Sequence, residues 1–160
     1  MRNMLAAVAA FLMLAIAFET SPAYARDLPS AGMTREDVAS WLRGRGYPAE
    51  IKKDSVSGDL YVASTSNGVN FGIYFYGCSG DVCPDIQYSA GWSGASSVTS
   101  DKLNDWNRDN RYCRAYLSKD GGVFGEYDVD VSPGGSWEQL NHSLDRWADV
   151  LASFKTFLGY

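Results

Sequence analysis

Three cysteines, one histidine and a short row of alternating acids are the side chains in this sequence best suited to reactive or metal-binding chemistry. Cys78 and Cys83 flank Ser79-Gly80-Asp81-Val82, without the two-residue interval of thiol oxidoreductases. A structural disulfide is favoured over a redox pair or two free thiols. Cys113 alternates with Ala115 and Leu117 and reads as a small buried hydrophobe, not a nucleophile. His142 stands between Asn141 and Ser143 on the expected outer face of a helix. A catalytic base must be oriented by a carboxylate and reach a nucleophile, and an exposed helical imidazole does neither. One histidine with this cysteine spacing does not make a zinc site. Glu126, Asp128 and Asp130 would line the solvated face of a strand, short of the roughly six to eight oxygens that calcium wants. No acid lies in an apolar setting that would raise its pKa for glycoside cleavage. Catalytic, metal and cofactor residues are therefore not expected, and an envelope hydrolase or thiol–disulfide enzyme is the alternative reading.

The aromatic set, with five tryptophans and ten tyrosines, points elsewhere. If Cys78 lies opposite Cys83, antiparallel pairing puts Phe75 opposite Ile86, Ile73 opposite Tyr88 and Phe71 opposite Ala90. One face is then uniformly apolar, and the other carries Tyr74 against Gln87 and Tyr76 against Asp85. A slip of one residue would mix apolar and polar side chains on both faces, so the register is self-supporting. The cysteines are expected on the side of Tyr74 and Tyr76, away from the core. A second hairpin pairs Leu117 with Val123 around Lys119-Asp120-Gly121, with Gly121 where positive φ is needed. Ala115 then faces Gly125, Cys113 faces Tyr127, and Arg114 meets Glu126 on the outer side. Tyr74, Tyr76, Tyr116 and Phe124 project from that outer side. This is either a partner surface, with Arg114 and Glu126 beside the tyrosines, or merely a tyrosine-rich solvated face.

Three helices must position these hairpins. Thr34 caps the first, Asp37 completes its capping box, Met33 can staple onto Val38, and Val38, Trp41 and Leu42 form its stripe. Strands at Glu50–Lys53 and Leu60–Thr65 follow. The second helix starts at Thr99 and has Leu103 and Trp106 as its strong apolar contacts. The third carries Trp137, Leu140, Leu144, Trp147, Leu151, Phe154 and Leu158 at alternating spacings of three and four. Ser136 and Gln139 make its capping box, and Gly159 is placed to stop it. The order α-β-β-β-β-α-β-β-α predicts an α+β domain with a mostly antiparallel sheet and helices packed on one face.

The 160 residues do not all belong to that domain. Arg2 and a continuous apolar run from Met4 to Phe18, ending at Ala23-Tyr24-Ala25, read as a signal peptide spanning residues 1–25. The run is shorter than the ~20 residues that cross a bilayer, so no membrane span is expected after cleavage. Residues 26–33 are polar with proline and glycine, expected as a mobile leader, and 34–160 form one domain. Export places the cysteines in an oxidising compartment, periplasmic or extracellular. Net charge is −5 with a pI near 4.7, and no basic run exists to neutralise phosphates, which argues against nucleic acid.

The run Val69-Asn70-Phe71-Gly72-Ile73-Tyr74-Phe75-Tyr76-Gly77-Cys78, followed by Cys83 and Ile86-Gln87-Tyr88-Ser89-Ala90, resembles the YbjN-like family of bacterial sensory transduction regulators. So do Leu103 to Arg108 leading into Arg111 to Leu117, and the tail with Trp147, Val150, Leu151 and Phe154. The resemblance spans Thr34 to Leu158. It implies a fold like the type III secretion chaperones, helices against an antiparallel sheet, and carries no catalytic motif. Cys113 stands where the family is expected to have a small or apolar residue, and an export signal departs from its cytoplasmic members. The expectation is a non-enzymatic, chaperone-like or regulatory binder of a protein, a peptide or a second copy of this chain.

Overall fold

Helix ends in this chain coincide with residues that can satisfy the backbone donors left over at a first turn. The computed structural model describes residues 26–95 and 97–160, so the expected signal peptide lies outside the described residues. Helix α1 (Arg35–Gly44) begins at Thr34, whose hydroxyl accepts from the Asp37 N–H while the Asp37 carboxylate accepts from the Thr34 N–H. Helix α2 (Ser100–Asp109) is capped by Thr99. Helix α3 (Trp137–Leu158) opens with the same reciprocal bonding between Ser136 and Gln139 and stops at Gly159, which takes the left-handed conformation.

Strands β1 (Glu50–Lys53), β2 (Leu60–Ser66), β3 (Val69–Tyr76), β4 (Asp85–Trp92), β5 (Arg114–Leu117) and β6 (Val123–Asp130) make one antiparallel sheet in the order β1-β2-β3-β4-β6-β5. The element order and the α+β class are those expected. Ile73 faces Tyr88 and Phe75 faces Ile86. Leu117 faces Val123, Ala115 faces Gly125, and Arg114 faces Glu126. Strands β2 and β3 turn on Asn67-Gly68, both at positive φ (53° and 73°), the conformation that lets a two-residue loop follow the sheet twist.

All three helices lie on one side of this sheet. Val38 and Leu42 of α1 and Leu140, Leu144, Trp147 and Leu151 of α3 pack on Val62, Phe71, Ile73, Ile86 and Tyr88. Beneath α2, Leu103 and Trp106 join Ala115, Val123, Phe154 and Leu158 in a second cluster. Tyr88 is fully buried, stacks on Trp147 at 5.7 Å, and bonds Ser143 Oγ at 3.0 Å. Since the Ser143 hydroxyl donates to the Leu140 carbonyl, the phenol is the donor to Ser143. Ser143, expected beside His142 on the outer face of α3, is thus an inward residue; His142 itself is exposed.

Two expectations need correction. Residues 26–33, expected as a mobile leader, are bonded onto the domain. The Leu28 N–H donates to Gly135 O, Trp137 N–H donates to Arg26 O, and Met33 and Cys83 exchange both backbone bonds at 2.9 and 3.0 Å. The cause is hydrophobic, because Leu28 and Met33 are both buried in the inner cluster. The cysteines also do not share the outer side. Cys78 is exposed, whereas Cys83 is buried beside the start of α1. Strand β3 ends at Tyr76 and Gly77 turns left-handed (φ 65°), so the two-residue alternation does not extend to the cysteines.

Candidate functional site

Among the described residues no helix covers the second face of the sheet, and the strand registers determine which residues line it. Three rows run across the strands there. One holds Tyr61, Tyr74, Gln87 and Asp128; the next Ala63, Gly72, Ser89, Glu126 and Arg114; the third Thr65, Asn70, Gly91, Phe124 and Tyr116. Successive rows are two residues apart along each strand, about 6.6 Å. Small residues in the middle row and aromatic residues on either side make a trough of about 640 Å³.

Both walls are stacked cross-strand pairs. Tyr61 and Tyr74 lie 5.0 Å apart and 10° from parallel, and Tyr116 and Phe124 lie 5.7 Å apart at 15°. The rings lean over glycines. A Cβ on Gly72 would sit 2.8 Å from Tyr74 Cε2 and 3.0 Å from Tyr61 Cδ2, and one on Gly91 would sit 2.9 Å from Phe124 Cε1. Any larger residue at either position would push a wall aside. The charged residues along the trough, Glu50 and Lys52, pair with each other at 3.0 Å.

Beside the trough runs a polar strip. Tyr76 Oη donates to Gln87 Oε1 at 3.2 Å, and Gln87 Nε2 donates to Asp128 Oδ1 at 2.7 Å. Tyr116 Oη donates to Glu126 Oε1 at 2.8 Å while Arg114 pairs with Glu126 Oε2 and lies over the Tyr116 ring. Glu126 is therefore buried, despite standing on the helix-free side. Burial, followed by the nearby Asp54 carboxylate, pushes the Tyr74 phenol up to about 12. Burial and the bond to Glu126 push Tyr116 up to about 12 as well. Tyr76 is raised by burial and then by Glu126 and Asp128. All three phenols stay neutral donors at physiological pH.

Of the five residues expected to form a partner surface, Tyr74 lines the trough itself and Tyr116 backs its far wall through Phe124. Tyr76, Arg114 and Glu126 make up the polar strip. Sequence reasoning missed Tyr61, Gly72 and Gly91. The signal for Tyr61 was available, since a turn on Asn67-Gly68 pairs Ser66 with Val69 and hence sets Tyr61 opposite Tyr74.

The remaining chemistry-bearing residues stand apart. Cys78 and Cys83 form a disulfide, closing a four-residue loop. Gly32 packs on the Cys83 carbonyl so tightly that a Cβ would approach it to 2.2 Å, which sets the disulfide-bonded Cys83 beside the entry to α1. Cys113 is buried with its sulfur against Gly125, and burial pushes its thiol up to about 11, the opposite of what a nucleophile needs. His142 has Glu138 at 3.9 Å, one helical turn away. Among the described residues, no three His, Cys, Asp or Glu side chains converge as metal ligands would.

No curated protein matches this sequence. A family model does match, over residues 34–159, the whole of the fold from the cap of α1 to the stop of α3. That family is YbjN, described as "Putative bacterial sensory transduction regulator", and the chain belongs to it.

Proposed function

We propose that this protein is an exported, non-enzymatic regulatory domain that receives a protein or peptide partner in the trough on the open face of its sheet. The observation that carries the reading is the pair of stacked aromatic walls over a small-residue floor, on the side of the sheet opposite the three described helices. Tyrosine supplies contact area at low entropy cost and keeps a polar tip for water, so the face is wettable when empty. The floor backbone is already bonded within the sheet, so a partner gains contacts from rings and not from strand addition. In a chaperone-like role, such a trough holds an exposed segment of its partner. Regulation follows if that segment is needed elsewhere.

Pull-down from envelope extract with the native protein and with a Tyr74→Ser/Phe124→Ser double variant tests the reading. Bands retained by the native protein and lost with the variant are expected, with both proteins equally folded by circular dichroism; equal capture by both refutes it. Export is tested separately, because protein recovered from the envelope should begin at Arg26 by intact mass. A chain still starting at Met1 there would contradict it.

A further inference from the structure

In a chain where acids outnumber bases, two arginines without acidic partners converge on one cleft. Arg43, Arg45, Arg108 and Arg114 are each paired with a carboxylate, Arg35 donates to the Leu60 carbonyl, and Arg26 lies over the Trp137 ring. Arg111 and Arg146, among the described residues, make neither an ion pair nor a hydrogen bond, yet both line a cleft of about 270 Å³ between the end of α2 and the middle of α3. Its apolar lining is Trp106, almost fully buried, and Val150.

The cleft is held by an unusual backbone. Tyr112 takes a left-handed conformation (φ 62°), uncommon for a residue with a Cβ and found where surrounding contacts impose it. Its ring meets Tyr127 edge-on at 5.8 Å and carries the Arg146 guanidinium at 4.7 Å on its face. Tyr127 stacks on Tyr88, and Tyr88 on Trp147, so a row of rings runs from the core to Arg146. Stacking positions a guanidinium while leaving its in-plane N–H donors free, which is the preorganisation that carboxylate recognition uses.

We infer that this cleft binds a small organic monoanion, a carboxylate on a short apolar body. The carboxylate lies between Arg111 and Arg146, and the body lies against Trp106 and Val150. Asp149, on the same rim, sets the charge. Two cations and one anion around the site neutralise a single negative charge and oppose a second. This surface is on the helical side of the molecule, so the inference is independent of the open-face trough.

Titration of the protein with 3-methylbutanoate, at ionic strength held constant with sodium chloride, tests it through the arginine side-chain Nε–H signals in NMR spectra. Saturable shifts confined to Arg111 and Arg146 are expected. Arg111→Gln and Arg146→Gln should each weaken binding about tenfold or more, as loss of a charge-assisted bond does. Arg111 makes no contact that the fold depends on, so its variant stays informative if Arg146→Gln disturbs Tyr112. Asp149→Asn should tighten binding several-fold and admit sulfate. The inference is overturned by shifts that never saturate, that 3-methylbutan-1-ol or chloride reproduces, or that Arg111→Gln leaves unchanged. Equal binding of sulfate, a dianion throughout the neutral pH range, by the native protein overturns the assignment of a monoanion.

Discussion

The two faces of the sheet are built from alternate residues of the same strands and put their aromatic rings to opposite uses. On the covered face, Phe71, Tyr88 and Trp147 form a cluster of mutually packed rings with almost no exposed area. On the open face, Tyr61, Tyr74, Tyr116 and Phe124 stack in pairs, lean on glycines and leave a trough between them. The covered rings are filled in by α3; the open rings flank a floor of Gly72 and Ser89. Tyr88 and Tyr74 lie only one strand apart, yet one contributes to stability and the other to a surface. A period of two is enough to separate these tasks within a single hairpin.

The largest test of that contrast is Trp147→Ala. It should cost roughly 3–5 kcal/mol, because the vacated space is enclosed by Phe71 and Tyr88. Tyr74→Ser, by comparison, should shift the urea midpoint only slightly. If the two variants unfold at similar denaturant concentrations, the open face is as much a part of the core as the covered one.

The disulfide gives the next largest effect and sharpens the comparison at the sheet's end. Closing so short a loop contributes roughly 2 kcal/mol in the chain-entropy picture. Cys78→Ser should lose about that much, whereas Cys83→Ser should lose more, since it also places a hydroxyl at a fully buried position. Cys113→Ala should leave the Cys78–Cys83 peptide linkage intact in unreduced mass mapping. Equal losses for the two serine variants would mean that Cys83 is no more buried than Cys78.

The smallest effect is an alkaline one. The phenols of Tyr74 and Tyr116 are raised by burial to about 12 from an ordinary value of 10.0. The unfolded chain therefore loses these protons first, and their contribution is complete below pH 10 and falls away as pH rises toward 12. Tyr88, on the covered face, is raised further and acts in the same direction. Denaturant unfolding across that window should show a declining stability that Tyr74→Phe and Tyr116→Phe each partly flatten. An unchanged slope would show that the open-face phenols are as solvated as in the unfolded chain.

Local chemistry made much of this fold readable. The capping boxes at Thr34 and Ser136, the three- and four-residue steps of the α3 stripe and the hairpin registers all join residues close in the chain, Gly72 and Ser89 being the most widely separated pair. The site was readable only in part. Outward tyrosines follow from alternation, but Gly72 and Gly91 carry no outward signal, since a glycine contributes nothing to a hydrophobic pattern. Their role appears only when the ring of a neighbour lies across them. Leu28 stands alone among polar residues and shows no periodicity, yet with Met33 it docks the segment.

Sequence alone determined the helices, the strands, the two hairpin registers and the separation of an apolar from a tyrosine-bearing face. Each rests on spacing and on bonds between near neighbours. Tertiary structure decided that β6 enters between β4 and β5, and with it the rows that bring Ser89 beside Glu126 and Gln87 beside Asp128. It also decided that Arg111 and Arg146 share a cleft. These contacts join residues far apart in the chain. Their pairing depends on how sheet twist and helix packing close the whole domain, and no local pattern records that closure.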